Sequence, residues 1–249
     1  MALQEEFEKQ GIWLFRYRSV LPMIIMPVGA VLYFRTKIYP GIFFLGEKPY
    51  EMYYEMFCLL ISMIGFGIRF YTIGYVPKNT SGRNRNEQVA DTLNTTGIYS
   101  MVRHPLYLGN FFVSLGPALL PGNVWFVVVF CLFYWIYYER IMFAEEQFLR
   151  RKFGNLYTEW AENTPAFFPN FKNFRQSNSS FNWKKILKQE RNGLAAIFLI
   201  FCALDVTGEW IENGTNYNYF MMAFCILSLL MFAVTKYLQK RTDLLKENG

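Results

Sequence analysis

Six long apolar segments, divided by stretches that hold most of the charge, constrain this chain more than any other feature. They run from about Val20 to Phe34, Met52 to Val76, Leu106 to Leu120, Val124 to Phe143, Gly193 to Ile211 and Tyr219 to Tyr237. A helix needs about 20 apolar residues to cross a bilayer, so each segment reads as a span. The first is short and contains Pro22 and Pro27. It is expected to be tilted, kinked, or extended by Trp13 and Phe15. Only 18% of the 249 residues are charged and 53% are hydrophobic, whereas soluble domains carry about 25% charge over their whole surface. The expected fold is therefore all-α, a polytopic integral membrane protein of about six transmembrane helices.

The connections suggest an orientation. Lys78, Arg83, Arg85 and Arg103 follow the second segment, and the stretch from Arg140 to Arg191 is richer still in Lys and Arg. Pro121-Gly122-Asn123 and Glu212-Asn213-Gly214-Thr215 hold neither. The positive-inside rule then puts both termini and the two long basic loops in the cytoplasm. Arg35, Lys37 and Lys48 dissent, since they fall on the predicted outer side. The net charge of +6 flanks apolar segments, which suits lipid headgroups and topology. No nucleic-acid-binding signature accompanies it.

Cys58, Cys131, Cys202 and Cys225 each stand alone in an apolar segment. That spacing predicts neither a metal site nor a disulfide framework. The start, MALQEEFEKQ, lacks a basic signal-peptide opening, so the first apolar run is expected to be retained. Three regions follow: N-terminal membrane helices over 1–76, a core over 77–169, and a linker with a C-terminal hairpin over 170–249. Asp205 and Glu209, one turn apart in the fifth segment, suggest no evident chemistry.

The chain's one histidine lies in Gly97-Ile98-Tyr99-Ser100-Met101-Val102-Arg103-His104-Pro105-Leu106-Tyr107-Leu108-Gly109, at the mouth of the third segment. A second polar island, Glu139-Arg140 and Glu145-Glu146, closes the fourth. The turn Pro121-Gly122-Asn123 makes these segments an antiparallel hairpin, so both islands fall at one membrane face. Ionisable groups at such depth are costly and point to function. Alternatively, Glu146 simply pairs with Arg150 at i, i+4 on an amphipathic helix end.

The stretch from about Pro77 to Pro169 resembles the isoprenylcysteine carboxyl methyltransferases and the related phospholipid methyltransferases. The resemblance rests on Gly97, Tyr99, Arg103-His104-Pro105, Tyr107 and Gly109. It continues through Glu145-Glu146, Leu149, Phe153-Gly154, Tyr157 and the segment from Pro165 to Pro169. Membrane sterol reductases carry a related pattern, often with Asn after the Pro and Glu after the Gly; here Leu106 and Asn110 stand there.

The resemblance implies S-adenosylmethionine bound near the cytoplasmic face and a lipid or lipid-modified acceptor, with no metal. Glu145 or Glu146 can accept from the donor's amino group or ribose hydroxyls. Arg103 can pair with a carboxylate. Tyr99, Tyr107 and Tyr157 can face the sulfonium or stack on adenine. Pro105 would open the third helix, and Gly109 would let backbone approach the ligand. His104 is open to three readings: a contact to donor or acceptor, a general base, or a structural residue. Arg103, His104 and Glu146 are the expected catalytic group, with Arg83, Arg85 and Arg103 holding an anionic headgroup. The alternatives are an NADPH-dependent membrane reductase and a non-catalytic membrane protein that keeps the fold.

Overall fold

A computed structural model describes residues 2–18, 20–39, 50–77, 90–242 and 244. Its helices are α1 (Leu3–Arg16), α2 (Val20–Ile38), α3 (Glu51–Tyr75), α4 (Pro105–Leu119), α5 (Val124–Phe153), α6 (Asn155–Asn163), α7 (Trp183–Ile211) and α8 (Tyr219–Arg241). Short 3-10 turns lie at Ile98–Ser100 and Phe171–Asn173. Among the described residues the one β contact is an isolated antiparallel bridge between Gly97 and Arg175.

The all-α membrane architecture holds, and four of the six expected spans are found among the described residues. Among the described residues four helices are long and apolar enough to cross a membrane: α3, α5, α7 and α8. At 15 residues, α4 is about 22 Å long, short of the ~30 Å hydrocarbon core. Val129, Leu132 and Ile136 of α5, and Ile226, Leu230 and Val234 of α8, remain exposed. Apolar stripes of this extent suit lipid chains rather than water. At 30 residues, α5 spans about 45 Å. That exceeds the ~30 Å hydrocarbon core, and Glu145 and Glu146 lie in its last turns.

Small residues let α3 and α4 touch backbone to backbone. A Cβ on Gly65 would sit 2.5 Å from the Val113 nitrogen, and one on Gly116 would sit 2.4 Å from the Cys58 carbonyl. Close packing of this kind replaces the hydrophobic drive that lipid does not supply. The turn into α5 is built locally. Gly122 takes φ 59, and Asn123 accepts the Phe126 N–H at 2.9 Å as an N-cap. The expected hairpin of α4 and α5 follows.

At the end of the molecule away from His104, a buried polar cluster joins α2, α3 and α7. Lys37 pairs with Glu51. Glu55 accepts from the Tyr33 hydroxyl and the Asn218 amide, each at 3.4 Å. Asp205 accepts the Asn218 N–H at 3.2 Å, and Glu209 accepts that of Asn216 at 3.0 Å. Asp205 and Glu209 thus fasten the α7–α8 turn, and the dissenting Lys37 is a buried counter-charge among carboxylates.

Candidate active site

The Arg103-His104-Pro105 turn is held by main chain before any ligand is considered. The Arg103 N–H donates to the Pro165 carbonyl at 2.9 Å, and the His104 N–H to that of Ala166 at 3.2 Å. The Asn170 N–H returns to the Met101 carbonyl at 2.9 Å. Upstream, Gly97 adopts φ 61, a conformation that disfavours any side chain. Its N–H bonds the Arg175 carbonyl at 2.8 Å. The Ser100 hydroxyl donates to the Gly97 carbonyl and accepts from the Arg175 N–H. Segment 165–175 is therefore a strap over the turn. Pro105 occupies the first turn of α4, with His104 as its N-cap.

From α5, two carboxylates reach this turn. His104 Nε2 lies 3.0 Å from Glu146 Oε1, and Nδ1 lies 3.5 Å from Glu145 Oε2. The ring is buried and stacks on Tyr107, with centroids 5.7 Å apart. Burial disfavours the charged ring, yet the bonds to Glu145 and Glu146 outweigh it, so the His104 pKa stands above its ordinary value. Arg103 Nε is 3.3 Å from Glu146 Oε1. The pair does not meet hydrogen-bond geometry, and that N–H stays buried and unbonded among the described residues. Glu146 therefore turns toward His104 and Arg103, not along its own helix to Arg150.

A cavity of about 470 Å³ opens on this cluster, a size suited to a small-molecule ligand. Tyr99, Arg103, His104, Pro105, Tyr107, Glu145 and Tyr157 line it. Tyr157 is buried, and its hydroxyl has no hydrogen-bond partner among the described residues. Burial, then the Glu146 charge, push its pKa up, so it stays a neutral donor. Gly109 does not line the cavity. A Cβ there would meet the Arg69 side chain at 2.5 Å, so its smallness serves the contact of α4 with α3. Arg83 and Arg85, with the Ser81-Gly82-Arg83-Asn84 turn, lie outside the described residues.

Sequence reasoning missed part of the lining. Trp160 of α6 faces the cavity and donates its indole N–H to the Tyr99 carbonyl at 3.1 Å. Arg69, Asn110 and Glu190 also line it. Glu190 comes from α7, whose contribution the sequence left unassigned. An intramembrane arginine, Arg69, was the available signal; its partner lies 121 positions away.

Fold and cavity together define an all-α integral membrane protein whose polar pocket opens beside apolar walls. Comparison with known proteins agrees: residues 53–156 match the phospholipid methyltransferase family. The chain is 31% identical over 122 residues to a nickel-cobalt-cadmium resistance protein of Alcaligenes xylosoxydans xylosoxydans, covering 48% of this chain and 54% of that protein. It is 33% identical over 119 residues to a cobalt-zinc-cadmium resistance protein of Cupriavidus metallidurans, covering 47% and 52%. It is 36% identical over 75 residues to the protein-S-isoprenylcysteine O-methyltransferase of Schizosaccharomyces pombe, covering 30% and 32%. The chain thus spans about half the length of the first two relatives and about a third of the last. No solved structure matches.

Proposed function

We propose that this protein transfers a methyl group from S-adenosylmethionine to a lipid-like acceptor in the membrane, at the cytoplasmic face. The observation that carries the reading is His104 bracketed by Glu145 and Glu146 at the polar end of a cavity whose far end is apolar. The relatives named as O-methyltransferases and the methyltransferase family match support the same chemistry. They favour it over hydride transfer or a non-catalytic role.

The residues present fit the donor. Two buried polar atoms, Arg103 Nε and the Tyr157 hydroxyl, lack partners among the described residues. A carboxylate and ribose or adenine acceptors would satisfy them, since a buried donor left unpaired costs about 1–3 kcal/mol. S-adenosylmethionine supplies a methyl carbon on a cationic sulfonium. Glu145 and Tyr107 present acceptor and aromatic surface to a cation. Glu146 orients Arg103 and His104 rather than facing the cavity itself.

Glu145 and Glu146 hold the His104 ring and favour its protonated form over the neutral one. A ring drawn toward imidazolium by two carboxylates has no lone pair with which to take a proton. An acceptor that is already an anion at neutral pH needs no base, so a carboxylate or phosphate acceptor suits the site. With Arg103 Nε turned to the donor's carboxylate, Arg83 and Arg85 are proposed to receive the acceptor's anion. Burial of the cluster keeps water out and aligns the reactants.

Radiolabelled S-adenosylmethionine binding to purified protein in nanodiscs tests the reading. Saturable binding, with a methyl-sized mass shift in lipid extracts from cells holding the protein, is expected. Absence of binding would end it. Parallel assays with a prenylcysteine, a lipid phosphate and phosphatidylethanolamine separate the acceptor classes, and activity on the amine alone would remove the anionic assignment.

A further inference from the structure

Deeper in the cavity, the side chains of Arg69, Asn110 and Glu190 meet from three helices. Arg69 Nε donates to Glu190 Oε2 at 2.7 Å and Nη2 to Oε1 at 2.6 Å. Nη1 donates to the Asn110 side-chain oxygen. These bonds engage both carboxylate oxygens and the amide oxygen while leaving guanidinium N–H hydrogens over. The Arg69 side chain is 21% exposed and that of Glu190 only 4%, so Arg69 is the more accessible partner of the pair. The Asn110 side-chain oxygen is thus committed to Arg69.

The position of this group divides the cavity. Asn110 lies six residues along α4 from His104, about 9 Å at the helical rise. Val113 lies about 5 Å further on. On α7, Ile197 and Ile200 stand about 10 and 15 Å beyond Glu190, and all three line the same cavity with Met26 of α2. Past it the walls continue into a smaller apolar recess between Met26, Gly29, Ser114 and Leu204. The order is therefore a charged end, a neutral group of donors, and an apolar end.

We propose that Arg69, Asn110 and Glu190 form a carbonyl-binding subsite that holds the ester or amide linkage of the acceptor, with its hydrocarbon chain running on between α2, α4 and α7. The assignment rests on the methyltransfer reading only in calling the occupant the acceptor. The charge balance selects the class. Arg69 and Glu190 are already paired, so an anion would have to displace a bidentate pair to reach the guanidinium. A cation finds both oxygens of Glu190 already engaged. A carbonyl oxygen takes a remaining N–H as a partner and brings no charge into a low-dielectric space. Glu190 is delivered by α7, outside the stretch that matches the family, so this preference belongs to the chain's own architecture.

Binding without any methyl donor tests the subsite. Native mass spectrometry of the full chain would compare palmitoyl-lysophosphatidylethanolamine with its hexadecyl ether counterpart, which lacks the carbonyl. The wild type is expected to favour the ester by about tenfold or more, one hydrogen bond's worth. The double variant Arg69→Met with Glu190→Leu, which swaps the pair for apolar side chains of similar size, should bind both alike and keep its affinity for S-adenosylmethionine. Equal binding of ester and ether by the wild type overturns the proposal without recourse to any variant. So does tighter binding of palmitate than of the ester, or discrimination that survives in the double variant. Failure of S-adenosylmethionine to bind, with ester preference intact, would sink the methyltransfer reading and leave the subsite standing.

Discussion

His104 Nε2 and Glu146 Oε1 stand 3.0 Å apart although 42 positions separate the residues in the chain. The contact crosses from the first turn of α4 to the last turns of α5, and Arg103 Nε lies 3.3 Å from the same oxygen. One carboxylate oxygen therefore faces both basic side chains of the turn. Glu146→Gln keeps the shape and removes the charge. Charge-assisted bonds contribute about 1.5–3 kcal/mol, so affinity for S-adenosylmethionine should fall by about tenfold to a hundredfold. Isothermal titration calorimetry on the variant in nanodiscs would read this, and unchanged affinity would show that Glu146 does not order the site.

The raised His104 pKa sets a sign for pH dependence. A group whose pKa is higher folded than unfolded adds stability that is fully present below its unfolded value of about 6.5. That stability is lost as pH rises through the folded value. The difference in thermal midpoint between wild type and His104→Gln should therefore be widest near about pH 6 and shrink toward about pH 9. A difference that grows with pH would mean that the ring is held neutral.

Two glycines two positions apart on α3 should behave oppositely. A Cβ on Gly65 meets the Val113 backbone nitrogen at 2.5 Å, whereas one on Gly67 meets nothing within 4 Å. Gly65→Ala forces α3 and α4 apart and should cost about 1–3 kcal/mol. Gly67→Ala should be neutral or stabilising by up to about 1 kcal/mol, because alanine favours a helix. Unfolding in mixed detergent would rank the pair, and equal effects would refute the close helix contact.

Lys37→Met should be among the more destabilising single changes away from the site. It leaves Glu51 unpaired at the edge of a cluster that already holds Glu55, Asp205 and Glu209 as buried acids. Removing one partner of a buried pair costs about 3–5 kcal/mol. The double variant Lys37→Met with Glu51→Leu should recover most of it. A single variant as stable as wild type would show the pair to be dispensable.

The strap gives a local readout. The Ser100 hydroxyl both donates to Gly97 and accepts from Arg175, so Ser100→Ala leaves the Arg175 N–H without that partner. Hydrogen exchange at Gly97 and Arg175 should speed up while exchange in α7 stays unchanged. Uniform acceleration across the chain would mean global destabilisation instead.

Apolar runs, a Pro-Gly-Asn turn and a Pro after His104 are local signals, and they were enough to announce a helical membrane protein, the α4–α5 hairpin and the start of α4. The meeting of His104 with Glu145 and Glu146 was legible too, because an antiparallel hairpin leaves its two open ends at one face. Gly109 was misread, since the sequence shows that a glycine is small but not what lies against it; packing answered with Arg69 and Gly65. Only tertiary structure brought Glu190 to Arg69 and made Lys37 a buried counter-ion. Long-range pairing of charges depends on which helix faces which, and hydrophobic periodicity carries no record of that. The chain alone thus determined its solvent, its helices and the nearer half of its polar site, and the packing of α7 against α3 decided the rest.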